Sequence, residues 1–493
     1  MESSAHHNRS SRTLVASLLL GFAAGLSGCA GLATPVKPAP REGPAPREGQ
    51  APREVQAPRE VHTPTNAPAS RDTQAIEAVG GHSVRAKISA DGRFVVFDSY
   101  ARNLAASDTG GFVNVFVHDR QSGMTTIVST AASGMPGNDH SAAPALSADG
   151  GVIAFNSDAT TLVSGDTNQL TDIFVHDRSA GPTARVNVGP GGAQAVYGPS
   201  FSPAVSADGR YVAFESSARN LVPGDTNGRR HILVHDRSTG TTTRVNPGPG
   251  GVQADADSFS ASISADGRYV AFESDATNLV PGDTNRRADV FAHDRLTGVT
   301  TRVSVATGGA QGAGDSGRPR ISADGRYVVF DSEAPNLVPD DTNNLADVFV
   351  HDRSTAVTTR VSVATGGAQA MGGDSLLPAI SADGRFVVFQ SDATNLVAED
   401  TNDLRDIFVH DRVTGATSRV SVATGGAQAL YGGAARPQIS ADGQVVAFES
   451  AATNLVPDDT NEVTDVFVHD TKTGITTRVN RLLAGTPTVR LKP

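Results

Sequence analysis

The chain of 493 residues has a single cysteine, Cys29, and no tryptophan, and aromatic residues make up only 5% of it. One cysteine cannot form an intramolecular disulfide, so the fold must hold without one. The formal net charge of -11 comes with no basic stripe, which argues against a nucleic-acid partner. The sequence also has no glycine-rich phosphate loop and no Cys/His cluster of the kind that binds zinc. Its stability must therefore come from noncovalent packing.

The first apolar run, Thr13 to Leu26, is too short to cross a bilayer and follows a polar, basic start, as in a secretory signal peptide. It ends in the tetrapeptide LSGC, which resembles the bacterial lipobox. That resemblance predicts a signal peptide over 1–28 and a lipid on Cys29, which would anchor the chain to a membrane. The alternative is a signal peptide cut elsewhere and an incidental cysteine. We expect export to a bacterial cell envelope, and Ala30 favours the outer membrane, facing the periplasm, if the cell has two membranes.

Residues 29–72 are rich in proline, arginine and glutamate, as in the stretch PAPREGPAPREGQAPRE. No hydrophobic core can be built from this composition, and proline favours an extended chain. We expect a semi-rigid linker between the anchor and whatever follows. The alternative is a peptide ligand for a proline-recognising partner.

The tetrapeptide SADG recurs seven times, about 58 residues apart, and His-Asp keeps step with it. The SADG copies begin at Ser89, Ser147, Ser206, Ser264, Ser322, Ser381 and Ser440. Each copy alternates apolar and polar residues, is rich in Val, Ile, Phe and Thr, and is interrupted by Asp-Gly and D-R-x-T-G turns. In the copy around Ser264 we expect strand A over 260–265, B over 268–274, C over 288–294 and D over 299–306.

The chain has seven consecutive four-stranded units, and each is too small to bury its own faces. This pattern predicts an all-β fold, a seven-bladed β-propeller of four-stranded antiparallel blades over 73–484. A C-terminal tail over 485–493 follows it. The runner-up is an open β-solenoid. Residues 74–81 resemble the strand D segment RVSVATGG. They would be an extra D-type strand that completes the ring by strand exchange, or they would stay loose.

The runs ISADGRYVAFES and DVFVHDR resemble the repeat of TolB-like propellers, which reads roughly S-P-D-G-K-x-I-A-F followed by D-I-Y-V-x-D-x-x-T-G. This chain has alanine in place of the proline and longer repeats. The extra length lies in the B to C loop (274–288 in the fourth copy) and in the D to A loop (306–319). Propeller topology puts both loops of every copy on one side, which we call the long-loop face, and binding usually resides on such loops. The TolB protein also has an amino-terminal domain, for which this chain has only the linker.

The motif D-T-N-x-x-x-D ends the B to C loop in five copies. Oxygen ligands at positions 1, 3 and 7 resemble the start of a calcium loop, which predicts calcium sites. The alternative is an Asx turn, in which Asp and Asn side chains bond nearby backbone amides. The candidate residues are Asp166, Asn168 and Asp172; Asp283, Asn285 and Asp289; Asp341, Asn343 and Asp347; Asp400, Asn402 and Asp406; and Asp459, Asn461 and Asp465. The first copy has decayed around Asp108, with Asn114 in the last position, and the third has His231 there.

The seven His-Asp pairs favour an architectural role, because one active site needs one constellation and not seven. We therefore expect no catalytic residues and a binding or scaffold protein whose partner is another envelope protein, as the TolB resemblance implies, or a glycan. The enzyme alternative is a hydrolase or lyase that acts on an envelope or extracellular polymer. A non-repeated polar cluster in the central channel or on the long-loop face would favour the enzyme.

Overall fold

Strand burial follows directly from the repeat pattern. The second and third strands of each repeat read as nearly continuous apolar runs and are buried along their length, whereas the fourth alternates between exposed and buried residues. Four such strands pair in antiparallel order, and the first strands of neighbouring sheets lie against one another. The result is the predicted all-β seven-bladed propeller of four-stranded antiparallel blades.

The computed structural model describes residues 75–105 and 111–483. The predicted signal peptide, Cys29, the linker, Asp108 and the predicted tail over 485–493 lie outside the described residues. Within them, no helix is long and apolar enough to cross a membrane.

The chain begins with β1 (Ala75–Glu77), and the seven blades follow in order. From the axis outward the strands are, in blade 1, β2 (Ser83–Ile88), β3 (Phe94–Ser99), β4 (Asn114–Asp119) and β5 (Met124–Ile127); in blade 2, β6 (Ser141–Leu146), β7 (Val152–Ser157), β8 (Asp172–Asp177) and β9 (Thr183–Arg185); in blade 3, β10 (Ser200–Val205), β11 (Tyr211–Ser216), β12 (His231–Asp236) and β13 (Thr241–Arg244); in blade 4, β14 (Ser258–Ile263), β15 (Tyr269–Ser274), β16 (Asp289–Asp294) and β17 (Val299–Arg302); in blade 5, β18 (Ser316–Ile321), β19 (Tyr327–Ser332), β20 (Asp347–Asp352) and β21 (Val357–Arg360); in blade 6, β22 (Ser375–Ile380), β23 (Phe386–Ser391), β24 (Asp406–Asp411) and β25 (Ala416–Arg419); and in blade 7, β26 (Ala434–Ile439), β27 (Val445–Ser450), β28 (Asp465–Asp470) and β29 (Ile475–Arg478). The last strand is β30 (Arg481–Leu483).

The predicted strand bounds in blade 4 are right to within two residues except for strand D. That strand ends at Arg302 instead of continuing to 306, and beyond it Val305 makes an isolated bridge to Gln311.

The core lies between blades. Each of seven apolar clusters joins residues of two neighbouring blades, and one of them joins blade 1, through Phe97, to blade 7, through Val466. Six blades stack a phenylalanine of strand B on one of strand C, with ring centroids 5.8–6.0 Å apart. Concentrating its few aromatics in these pairs lets the chain build a core without tryptophan.

The SADG turns form a closed circle of backbone hydrogen bonds. In every blade the alanine N–H donates to the alanine carbonyl of the next blade over 2.8–3.1 Å, and Ala441 of blade 7 donates to Ala90 of blade 1. The TolB-like pattern has proline here, and proline has no N–H. The alanine of this chain therefore supplies a donor that the family's residue lacks. Gly267, with φ +72°, lies so close to Tyr211 of the neighbouring blade that a Cβ would come within 2.1 Å of the ring.

Ring closure differs from both expectations for residues 74–81. Strand D of blade 7 is β29, so no D-type strand is contributed from the amino-terminal side, and the predicted strand exchange is wrong. The segment is not loose either, because β1 pairs with β30 outside the blades. Glu77 takes the position that Gln428 has in the preceding D to A loop, and its carboxylate accepts hydrogen bonds from the N–H and hydroxyl of Thr460 at 2.9 and 2.8 Å. The two ends of the propeller together make the seventh D to A loop.

Candidate functional site

The long loops of each blade lie on one face and bind each other. In blade 2 the amide of Gln194, in the D to A loop, donates to the carbonyl of Gly165 and the hydroxyl of Thr167, in the B to C loop, at 2.9 and 3.0 Å. The next blade joins them through Asn220, whose amide donates to the Gln194 carbonyl at 2.7 Å. The predicted long-loop face is therefore present, and it is one continuous network of loops.

The D-T-N-x-x-x-D motif surrounds an arginine of strand D. In blade 6 the Arg419 guanidinium lies 2.9 Å from the carboxylate of Asp400 and 3.1 Å from that of Asp406. The same arginine stands in all five intact copies, within 2.9–3.8 Å of both carboxylates; it is Arg185, Arg302, Arg360, Arg419 and Arg478 in chain order. The motif therefore ties the B to C loop to strands C and D.

The asparagine of the motif forms an Asx turn. In blade 4 the Asn285 side-chain oxygen accepts from the N–H of Arg287 at 3.1 Å, while its amide donates to Asp289 and to the carbonyl of Gly312. The other four copies repeat these contacts. The side-chain oxygen that a calcium ion would need is thus committed to the backbone, as the Asx-turn alternative expects.

Two copies that depart from the D-T-N-x-x-x-D motif show how its last carboxylate and the strand D arginine depend on one another. In blade 1 the last position of the motif is Asn114, and the strand D position of the arginine is Ile127, which pairs with Phe116 as Arg419 pairs with Phe408. Loss of the carboxylate and loss of the arginine coincide. In blade 3 His231 takes the carboxylate's place, 3.7 Å from Asp225.

This arrangement does not fit a calcium ion, because a guanidinium already occupies the position between the carboxylates. Among the described residues no cluster of three or more His, Cys, Asp or Glu side chains could hold a metal ion. Burial raises the pKa of Asp283 and of Asp459 to about 6. Calcium binding stays a prediction for titration to test.

The His-Asp pairs make architectural contacts. In blade 5 the His351 ring is 2.9 Å from the hydroxyl of Thr358, which donates to the carbonyl of Val305 in the preceding D to A loop. The aspartate, Asp352, accepts two hydrogen bonds from Arg326 of the A to B turn, and these hold the pKa of its carboxyl well below the usual value. Burial lowers the pKa of His351. In blade 5 the pair thus fastens the blade to its neighbour and joins two turns.

The structure adds a set of exposed apolar residues that repeat analysis overlooked. They follow the Gln-Ala of the D to A loop, on the long-loop face, where the copies differ in sequence. Tyr197 and Tyr431 are 85% and 93% exposed. Both have positive φ, 67° and 61°, where other copies have glycine, such as Gly372. The remaining exposed apolar residues at these positions are Val79, Val196, Met371 and Leu430. The sequence signal for these residues is that the copies diverge at this position while the rest of the repeat is regular.

Clefts on the same face lie between the loops. One, of about 550 Å³, is lined by Val280, Pro281, Arg302 and Gln311. Another, of about 270 Å³, is lined by Glu333, Asp341 and Asp374 among others. The clefts and the exposed apolar side chains thus belong to the same face of loops.

Comparison with known proteins supports the fold. No model of a protein family matches the chain, and no curated protein does. The β-propeller domain of the Trilobed protease from Pyrococcus furiosus is 10% identical and matches with a TM-score of 0.50 over 82% of this chain and 97% of that one. TolB from Acinetobacter baumannii is 15% identical over 81% of this chain and 78% of its own (TM-score 0.38), and a putative TolB from Agrobacterium tumefaciens is 17% identical over 61% and 84% (TM-score 0.37).

The matched structures also include acylaminoacyl peptidase and an oligogalacturonate lyase from Vibrio parahaemolyticus. The matched structures thus include TolB, peptidases and a lyase, and identities of 10–17% show the fold alone. The chain is a seven-bladed β-propeller structurally similar to those of TolB and of the prolyl and acylaminoacyl peptidases.

Proposed function

We propose that this chain is a lipid-anchored protein of the bacterial cell envelope that binds another envelope protein, without catalysis, through its long-loop face. The observation that carries the proposal is the row of exposed apolar side chains on successive D to A loops, from Met371 through Leu430 and Tyr431 to Val79. These residues lie on three neighbouring loops, the last of which is the one completed by β1. Exposed apolar residues on adjacent loops mark interaction sites.

Two further features support a binding role. The loops that carry the apolar row are held by hydrogen bonds to both adjoining blades, as Leu430 is held through its N–H to Asn454 at 2.9 Å. Such loops lose little conformational freedom on binding, which favours affinity. Tyr431 and Tyr197 also hold strained backbone conformations, and strain of this kind clusters at ligand-binding positions.

The test is a pull-down from envelope extracts with the full chain and a matched pair of variants in blade 6. Tyr431→Asp places a charge in the apolar row, and Val413→Asp places one at another highly exposed apolar residue, in the C to D turn and away from the long loops. We expect Tyr431→Asp to lose the captured protein and Val413→Asp to retain it. If both variants still capture the protein, the apolar row is not the binding surface and the proposal is contradicted. Capture of a glycan instead of a protein contradicts the proposed partner.

The anchor is tested separately. Labelling of the chain with a radioactive fatty acid, lost in Cys29→Ser, is the expected result. If the chain is exported but not labelled, the lipid anchor is contradicted. That result would not affect the proposal that the long-loop face binds a protein.

The catalytic alternative, a hydrolase or lyase acting on an envelope or extracellular polymer, has one observation on its side: non-repeated charged residues in the central channel, described below. Release of oligomers from polymer by the purified chain, abolished in Lys87→Met, would favour it over a binding role.

A further inference from the structure

The innermost strands place seven residues at one level around the central channel. The fifth residue of each first strand pairs with the third residue of the second strand, as Lys87 pairs with Val96 and Arg320 with Val329, so these residues share a register in every blade. Five members of the level are small or neutral: Ala145, Ala204, Ser262, Ala379 and Gln438. The other two, Lys87 and Arg320, are cations.

Lys87 and Arg320 share this level from separate blades. They belong to blades 1 and 5, which are not neighbours in the ring, yet the charge of Arg320 acts directly on the Lys87 ammonium. Both are partly exposed, so solvent reaches them through the channel.

The carboxylates around the channel are already paired. Arg85 binds Asp98 at 2.6 Å, and Arg436 binds Glu449 at 3.1 Å. On the other side Arg318 binds Asp331 at 2.8 Å. Across residues 75–105 and 111–483, neither Lys87 nor Arg320 forms a side-chain ion pair; Arg320 donates only to the carbonyl of its neighbour Pro319, at 2.9 Å. Each cation therefore lacks a carboxylate at ion-pair distance, although the charge of Asp331 acts on Arg320 and that of Glu449 acts on Lys87.

Burial in the channel, with Arg320 and Arg436 nearby, lowers the pKa of Lys87 to about 7, although Glu449 acts in the opposite direction. Arg85 and Asp98 are the charged groups of its own blade. An anion between Lys87 and Arg320 would favour the protonated lysine, because it supplies the opposite charge at ion-pair distance that this lysine lacks.

We propose that Lys87 and Arg320 form a site in the central channel that binds one small oxyanion, a carboxylate or a phosphate group. Lysine and arginine both make charge-assisted hydrogen bonds to such groups. The site is separate from the apolar row of the long-loop face, so it stands or falls independently of the proposed function.

The site is tested by isothermal titration of the full chain with inorganic phosphate and with citrate, which separate phosphate from carboxylate as the preferred group. Ionic strength is held constant, because salt screens exposed charges. We expect one anion per chain and a loss of affinity of about tenfold or more in Lys87→Met and in Arg320→Gln, since each removes one charge-assisted contact. Lys472→Gln, which removes an exposed lysine from a C to D turn, is the matched control and should bind as the unaltered chain does.

The pH dependence gives a signature that a merely structural lysine would not produce. Below pH 7 the lysine is already protonated, and above it binding must take up a proton, so affinity should fall about tenfold for each pH unit. Lys87→Arg keeps the charge at every pH in this range and should bind without that decline. Equal affinity in Lys87→Met, in a variant that still melts cooperatively, overturns the proposal. So does a pH profile that Lys87→Arg leaves unchanged.

Discussion

Replacing Arg419 by isoleucine tests whether the D-T-N motif is built around an arginine. The Asp400 and Asp406 side chains are 2% and 0% exposed, so the substitution leaves two buried carboxylates without their cation. Removal of one partner from a buried ion pair costs about 3–5 kcal/mol of the free energy of unfolding. Arg405→Ala in the same blade is the control, because its ion pair with Asp392 is 42% and 40% exposed. Such surface pairs contribute about 0–1 kcal/mol.

The sequence of blade 1 suggests a second substitution that should restore stability to Arg419→Ile. There Ile127 occurs together with Asn114, whose side-chain oxygen accepts from Ser129 at 2.7 Å. Adding Asp406→Asn to Arg419→Ile should therefore recover at least half of the lost stability, because an amide is cheaper to bury than a carboxylate. Urea denaturation followed by circular dichroism measures all three variants. A cost below about 1 kcal/mol for Arg419→Ile, or no recovery in the double variant, would refute the reasoning.

The stability deficit of Arg419→Ile should also depend on pH. Burial already raises the pKa of Asp400, and without the arginine it should rise further. A carboxyl whose pKa is raised in the folded state contributes most at low pH, and that contribution is lost as the pH rises from the unfolded value of about 4 through the folded value. The stability deficit of Arg419→Ile should thus be smaller at pH 5 than at pH 7.

The remaining predictions concern ring closure, the SADG circle, a buried acid and calcium. Glu77→Gln should leave thermal stability nearly unchanged, because five other copies have glutamine there, whereas Glu77→Ala should lower the melting temperature; equal effects would contradict its role in closing the ring. Ala265→Pro removes one donor of the circle and should cost about 1–3 kcal/mol in urea denaturation, and Ala265→Ser, which keeps the N–H, should cost less than about 1 kcal/mol. Burial raises the pKa of Glu215 to about 7, so its contribution to stability falls between about pH 4.5 and 7; Glu215→Gln, which introduces the residue that blade 6 has as Gln390, should flatten that decline in melting curves taken across this range. Excess calcium or a chelator should leave the denaturation midpoint unchanged, and a calcium-dependent rise would restore the calcium prediction.

The repeat pattern determined the architecture. Alternating Val, Ile and Phe residues determined the strands, and the Asp-Gly and D-R-x-T-G sequences determined the turns. The seven repeats of similar sequence determined the number of blades. These are local properties, because strand periodicity and turn geometry depend on residues that are close in the chain. The side of the propeller on which the long loops lie follows from the same order of strands, so it too could be predicted.

What the tertiary structure decided is which side chains meet. The sequence motif predicts Asp400 as a calcium ligand and carries no mark of its contact with Arg419, which lies on another strand. The contact between Glu77 and Thr460 depends on closure of the ring, and so does the placing of Lys87 and Arg320 at one level of the channel. Distant residues of a repeat protein come together only when the last blade packs against the first, and that packing is a property of the whole chain.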